Sequence, residues 1–241
     1  FRRDTNFVER HLTGIDLIEH ALPAGGPGRV IEADYLAAID GLGEWYRAQP
    51  GVVYVASLAE MVKRLNQARH GDDADFFRMP GTGAGSLLMQ YAAAAPDGAA
   101  KVLVDGSFEI SRLSVIVRGM SSRQIRDLGA GADAWLARNA PQTAAPATGL
   151  SMMYAHVSAR NIEGMLVSTG AALLLISALL VLVLRSPLLG MLSLLPNLAP
   201  AVIALGLWGW AVGELGLAGS VVSAMTLGIV VDNSIHFLNK F

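Results

Sequence analysis

The chain has 241 residues, 53% hydrophobic and 16% charged, with a net charge of −2 and no cysteine. That balance offers no basic surface for nucleic acid, and without cysteine there is no disulfide framework, thiolate chemistry or cysteine metal site. Of 18 Lys+Arg and 20 Asp+Glu, only Glu163, Arg185, Glu214, Asp232 and Lys240 lie beyond Asn161, so a water-compatible region precedes a hydrocarbon-compatible one.

The first region, residues 1–160, reads as an α+β domain. "PAGGPG" (Pro23 to Gly28) is a turn cluster. "EADYLAAIDGLGEWYRAQ" places Leu36, Ile39, Leu42 and Trp45 on one helical face, after an acidic start at Glu32 and Asp34. Pro50-Gly51 turns the chain into the β-rich "VVYVAS". Ser57 and Glu60 form the capping-box pattern S-x-x-E before the helix "LAEMVKRLNQARH", which Gly71 stops. Asp72 to Pro96 reads as irregular and then Ala-rich. Within it "GTGAGS" (Gly81 to Ser86) resembles a phosphate-cradling loop, but no Lys-Ser/Thr follows and no clear strand precedes, so a flexible loop is expected. Val102–Val104 and Leu113–Val117 are predicted strands. Ser121 and Gln124 cap a helix whose apolar face is Ile125, Leu128, Ala132, Trp135 and Leu136. "APQTAAPATG" is a loop or edge-strand link, and Ser151 to Glu163 is expected to lead into the next region as a helix. Strands alternating with amphipathic helices suggest small βαβ-type units. His11, His20, His70 and His156 show no metal-ligand spacing, and Asp72 and Asp73 beside His70 read as a solvated turn.

The second region, 161–241, is expected to hold three transmembrane helices, at about 165–184, 188–212 and 217–238. Met165 to Leu184 is twenty residues without a charge, enough to cross a hydrocarbon core of roughly 30 Å. "RSP" and "GELG" are the short turns between spans. Arg185 and Lys240 fall on one side, which the positive-inside rule makes cytoplasmic, so residues 1–160 and the Glu214 loop are expected outside. Trp208 and Trp210 fit an interfacial belt on that outer side, and Lys240 a snorkelling anchor. In the second span Pro196, Asn197 and Pro200 mark a kink, or a hinge that moves during transport. The chain is expected to be a piece of a longer membrane protein.

The last stretch, "GIVVDNSIHFLNKF", puts a carboxylate into an apolar helix. Gly228, Asp232 and His236 stack four apart on one face, and Gly228 leaves room for another helix to approach. An ionised Asp in hydrocarbon costs at least about 2.5–3.5 kcal/mol, so Asp232 should face a bundle interior or a water path. Burial raises a carboxyl pKa, which suits proton exchange. Asp232 is the candidate proton relay; the alternative is a structural Asp bonded to a neighbouring helix. His236 either passes protons with it or sits at the cytoplasmic rim. Asn233, about 100° around the helix, can only orient the site, because an amide does not titrate. No nucleophile–base set is visible, so an enzyme is not expected, nor is a cofactor.

"MTLGIVVDNSIHFLNKF" resembles the acid-bearing transmembrane segment of resistance-nodulation-division (RND) transporters, most of all their MMPL-like exporter branch, where G-I-x-V-D-[DY]-x-x-H-F is frequent. "LTGIDLIEHALPAG", "EWYRAQPGVVYVASLAEMVKRLN", "FFRMP" and "RSPLLGMLSLLPNLAP" resemble the same group in the same order, so the likeness extends over nearly the whole chain. It implies an extracytoplasmic porter domain of βαβ, ferredoxin-like subdomains, then an all-α transmembrane bundle, in a bacterial inner-membrane protein with two similar halves. The chain resembles the later part of one half, more the second. The implied activity is proton-driven export by alternating access, with Asp232 as proton carrier. Asn233 stands where relatives carry Asp or Tyr, which favours a single carrier. The implied partners are a hydrophobic or lipid-like substrate, membrane lipids, protons and the rest of the transporter, with a homo-oligomer or a periplasmic partner left open. A sterol-sensing-like regulator or a secretion-accessory subunit on the same scaffold is the alternative.

Overall fold

The computed structural model describes residues 3–4, 7–8, 13–95, 98, 100–184, 199, 202–204, 206–211, 219, 221–222 and 225. They fall into two units, Phe1–Ala155 and His156–Phe241.

The first unit is built on three strands: β1 (Asp16–Pro23), β2 (Val52–Ala56) and β3 (Ile110–Val117), in sheet order β1-β3-β2. Both edge strands run antiparallel to β3. They are therefore parallel to each other, and α1 (Ala33–Arg47) connects them. This is a split β-α-β arrangement, with the third strand filling the gap. The chain from β2 to β3 is long and carries α2 (Leu58–Arg69), α3 (Ala84–Ala94) and the single turn α4 (Ala100–Leu103). After β3 comes α5 (Ser122–Asn139). Thr148 then bridges Glu19 on the outer edge of β1, exchanging backbone hydrogen bonds of 3.0 and 2.7 Å. A single residue thus satisfies backbone groups that a bare edge would leave open.

Strand alternation decides what is buried. Ile18, His20 and Leu22 of β1, Val55 of β2, and Ser111, Leu113, Val115 and Val117 of β3 all point inward. From the helices, Leu36, Ile39, Leu42 and Tyr46 of α1 and Ile125, Leu128, Ala132 and Leu136 of α5 join the same core. Each fully buried Leu or Ile contributes about 1.5–3 kcal/mol by area burial. The two tryptophans expected in these faces sit on their flanks instead. Trp45 lies over Gly131 and Trp135 over Gly41; a Cβ at either glycine would come within 3.1 Å of the facing indole. Tyr46, one position on, takes the buried end of α1 with none of its surface exposed.

The predicted α2 and α5 starts are both capped, but differently. Ser121 and Gln124 form a full reciprocal box. Ser57 accepts from the Glu60 N–H at 3.1 Å, while the Glu60 carboxylate turns to Arg47 and Arg64 instead of completing the box. Gly71 ends α2 with φ of 73°, the left-handed conformation that glycine adopts without strain.

Three local expectations are corrected. β1 was not anticipated, because its inward set is Ile-His-Leu and the histidine breaks the apolar alternation. Val102–Val104 is not a strand: Val102 and Leu103 belong to the α4 turn, and only Val104 bridges Ser111. The "GTGAGS" loop is the start of a helix, with Gly83 at the N-cap of α3 and the Ser86 hydroxyl donating back to the Gly83 carbonyl at 2.8 Å. Before β3, the Asp105 carboxylate accepts from the N–H groups of Glu109 and Ile110 at 2.8 and 2.9 Å and shapes the turn. These backbone donors, Ile110 first, hold its pKa down at about 2.

Helix α6 spans Leu150–Leu184 without interruption. Its first turns bury Met152 and Ala155 in the first unit, where the Ala155 carbonyl accepts from Arg126 Nη1 at 3.0 Å. At 1.5 Å per residue, its 35 residues extend about 52 Å.

Candidate functional site

Of the residues singled out by sequence, Asp232, Asn233, His236 and Gly228 lie outside the described residues, as do Pro196, Asn197 and Pro200. Leu166, Val167, Leu174, Leu175 and Leu182 of α6 are all exposed. Among the described residues Leu150–Ala178 is the one helix long and apolar enough to cross a membrane, and Val202–Ala211 is a shorter apolar helix. Trp208 and Trp210 at its end are exposed as well. One stretch of α6 is not wholly apolar. Asn161, Ser168 and Thr169, with Gly164 and Met165, line a cavity of about 670 Å³ that Val221 borders. Gly164 and Ser168, four apart, are small enough to admit a close neighbour.

The first unit contains two buried polar groupings. His20 is fully buried. Its Nδ1 lies 3.2 Å from the Ala145 carbonyl and its Nε2 2.7 Å from the Tyr46 hydroxyl. A carbonyl only accepts, so Nδ1 carries the proton, and Tyr46 donates to Nε2. This fixes one neutral tautomer. Burial pushes the His20 pKa down, against the Ala145 carbonyl and the Asp133 charge, which pull it up. Burial also pushes the Tyr46 hydroxyl up, with Asp133 adding to it. Asp133 itself accepts from the Ala147 N–H at 2.9 Å, which pins the segment that carries Ala145. The second grouping is Tyr35, which donates to the Leu22 carbonyl at 2.8 Å and meets the Ser111 hydroxyl at 2.6 Å. Burial pushes its hydroxyl up to about 12. Neither grouping pairs a nucleophile with a free base: each hydrogen bond is spent on holding strand, helix and loop together.

Charges between α1 and α2 are fully matched. Lys63 bonds to Asp40 and Glu44, and Arg47 to Glu44 and Glu60, which also takes Arg64. Burial alone would push Lys63 down; the hydrogen bonds it donates to Asp40 and Glu44 outweigh that and raise its pKa. The Lys63 hydrogen bond in turn holds Glu44 below its usual range. A network in which every charge is answered is structural.

Near the end of β3 one buried polar atom is left without a partner among the described residues. Where β3 ends and α5 begins, a cleft of about 510 Å³ opens beside the Pro50–Gly51 turn. Arg118 lines it. Its Nε is the one buried side-chain nitrogen or oxygen without a hydrogen-bond partner among the described residues. Nothing in the sequence marks this position, since one Arg after a strand is ordinarily a solvated end.

Among the described residues no group of three or more His, Asp or Glu is placed to hold a metal ion. No protein-family model matches the chain, and no curated protein matches it significantly.

Proposed function

We propose that the chain is part of a proton-driven exporter of lipids or other hydrophobic or amphiphilic molecules in the bacterial inner membrane. On this reading residues 1–160 form an extracytoplasmic α+β domain and residues 161–241 contribute helices to a transmembrane bundle. The observation that carries it is the contrast along α6 and beyond. Leucines at 166, 174, 175 and 182 expose their side chains on a helix of membrane-spanning length, while the later apolar stretch holds one acid, Asp232. Apolar surface of that extent is stable against lipid and unstable against water. An acid in such a setting is retained for what its protonation does. Asp232 takes a proton from the outside and releases it inward. Gly228 lets a facing helix close on it, His236 supports it and Asn233 orients it. Pro196, Asn197 and Pro200 let the second span bend as the packing shifts. The likeness to RND transporters of the MMPL-like branch gives the same reading.

The test uses the complete protein that carries this chain, reconstituted in liposomes with a trapped pH dye and a fluorescently labelled phospholipid. Imposing a proton gradient should drive lipid movement and proton flux together in the wild type. Asp232→Asn should abolish both, and Asp232→Glu should restore part of each. Coupled transport that survives Asp232→Asn would sink the relay. Lipid binding with no proton flux in the wild type would favour the regulator.

A further inference from the structure

Arg118 leaves β3 with its backbone N–H on the Gly51 carbonyl at 2.8 Å, so its position is fixed by the sheet. Its side chain enters the 510 Å³ cleft together with Trp45, Gln49, Met120, Asp127 and Leu128. Its Nε is shielded from solvent and has no hydrogen-bond partner among the described residues. Every other buried side-chain nitrogen or oxygen described has a partner. A shielded donor on a permanent cation is costly to leave unmet, and a carboxylate would satisfy it with paired, charge-assisted bonds.

The remaining walls say what else the ligand carries. Trp45, Met120 and Leu128 are apolar, and Gln49 spends its amide N–H on the Trp45 carbonyl at 3.1 Å. The volume is several times that of a small inorganic ion. It falls within the range of small-molecule sites, which are mostly apolar with a few placed polar groups. Asp127 lines the same cleft, and its carboxylate disfavours a second negative charge on the ligand.

We infer that this cleft binds a singly charged anionic amphiphile, its carboxylate on Arg118 and its apolar body against Trp45, Met120 and Leu128. As a place where cargo pauses, the site rests on the transport reading; as a binding site it stands without it. The ligand class is narrower than "lipid": one negative charge, one apolar body, no bulky polar head.

Equilibrium dialysis of the full chain in phosphatidylcholine nanodiscs tests it, with empty nanodiscs as the reference for partitioning. The probe is radiolabelled octanoate. Saturable uptake of about one per chain is expected, with octanol, octanedioate and acetate each competing at least about tenfold less well. Arg118→Gln should weaken octanoate at least about tenfold, and Arg118→Lys less. Met120→Glu, which adds a carboxylate to the cleft and leaves Arg118 in place, should do the same and serves if Arg118→Gln fails to fold. Equal octanoate binding by a folded Arg118→Gln chain overturns the proposal. So does acetate competing as well as octanoate, or uptake no greater than that of empty nanodiscs. None of these outcomes depends on Asp232, so a failure here is distinct from a failure of proton-driven transport.

Discussion

In the first unit Leu36, Leu42 and Leu113 show none of their surface. On α6, Leu174 and Leu175 show 69% and 71% of theirs. The residue type is the same and the surroundings are opposite. In the α+β unit the buried apolar side chains pack against others of the same unit, and almost every buried polar side-chain atom described has a partner. On α6, Met152 and Ala155 still pack in the first unit, whereas Leu166, Val167, Leu174, Leu175 and Leu182 are exposed among the described residues, which suits the lipid or the further helices of the proposed bundle. Among helical glycines, Gly41 and Gly131 are tight against indoles, whereas Gly164, Gly170, Gly206 and Gly209 have open space where a Cβ would go, as do loop glycines of the first unit such as Gly28, Gly71 and Gly119. Small residues with empty space beside them suit helices that await neighbours.

The largest effect that can break this comparison is in the core. Leu113→Ala on β3 should cost about 2–5 kcal/mol, read as lost hydrogen-exchange protection across Ile110–Val117 in the full chain. Leu175→Ala on α6 should leave that protection within about 0.5 kcal/mol of wild type. Equal losses would mean that the exposed leucines serve the α+β core after all. Next in size is Tyr46→Phe. It keeps the ring and removes the one donor to His20 Nε2 among the described residues, leaving a buried acceptor bare. A loss of about 1–3 kcal/mol is expected in the same assay, confined to the first unit.

How much of this was legible in the sequence differs between the two regions for a physical reason. Periodicity reports burial within a single element. It therefore marked the Leu36, Ile39 and Leu42 face of α1 and the Ile125, Leu128, Ala132 and Leu136 face of α5 directly, with Leu113–Val117 legible as a β-rich run and α2 by its capping serine. It missed β1, since His20 occupies an apolar position and is made acceptable only by Tyr46 and Ala145, residues 26 and 125 positions away. It misread Val102–Val104, where Val102 belongs to the α4 turn and only Val104 bridges β3, at Ser111. The cleft at Arg118 was invisible for the same reason as β1: an unmet guanidinium is a property of what surrounds it. Asp232, by contrast, stands out in sequence alone, because an acid within an apolar run needs no contact map to be anomalous.

A third, smaller effect is pH dependence, which should appear in the first unit and not along α6. His20 has a folded pKa lowered below its usual value of about 6.5, chiefly by burial. The unfolded chain therefore binds the proton more readily, so stability is full above about pH 6.5 and falls as the pH drops below it. The slope from this one group cannot exceed about 1.4 kcal/mol per pH unit. Asp105 acts in a separate, lower window. Its folded pKa of about 2 lies below the ordinary carboxylate value of 3.8, so the turn before β3 keeps its stabilisation above pH 3.8 and loses it between there and about 2. Hydrogen exchange of the Ile110–Val117 peptide at pH 7.5 and 5.5, corrected for intrinsic rates, checks the first window. A flat response there would mean that His20 takes its proton within the fold.

The smallest contrast worth measuring is between a cap and an ion pair at the surface of the same unit. Ser121 and Gln124 satisfy two helix-end donors reciprocally. Ser121→Ala should lower protection of the first turns of α5 by about 1 kcal/mol. Arg29 and Glu32 form an ion pair of 3.0 Å with both side chains nearly half exposed. Water serves either group almost as well as its partner does, and salt screens the attraction. Glu32→Gln should therefore change stability by less than about 0.5 kcal/mol, and raising the ionic strength should shrink even that. If the ion pair outweighed the cap, the difference between groups that depend on an internal partner and groups served by their surroundings would fail within one unit, and it could not then hold for α6.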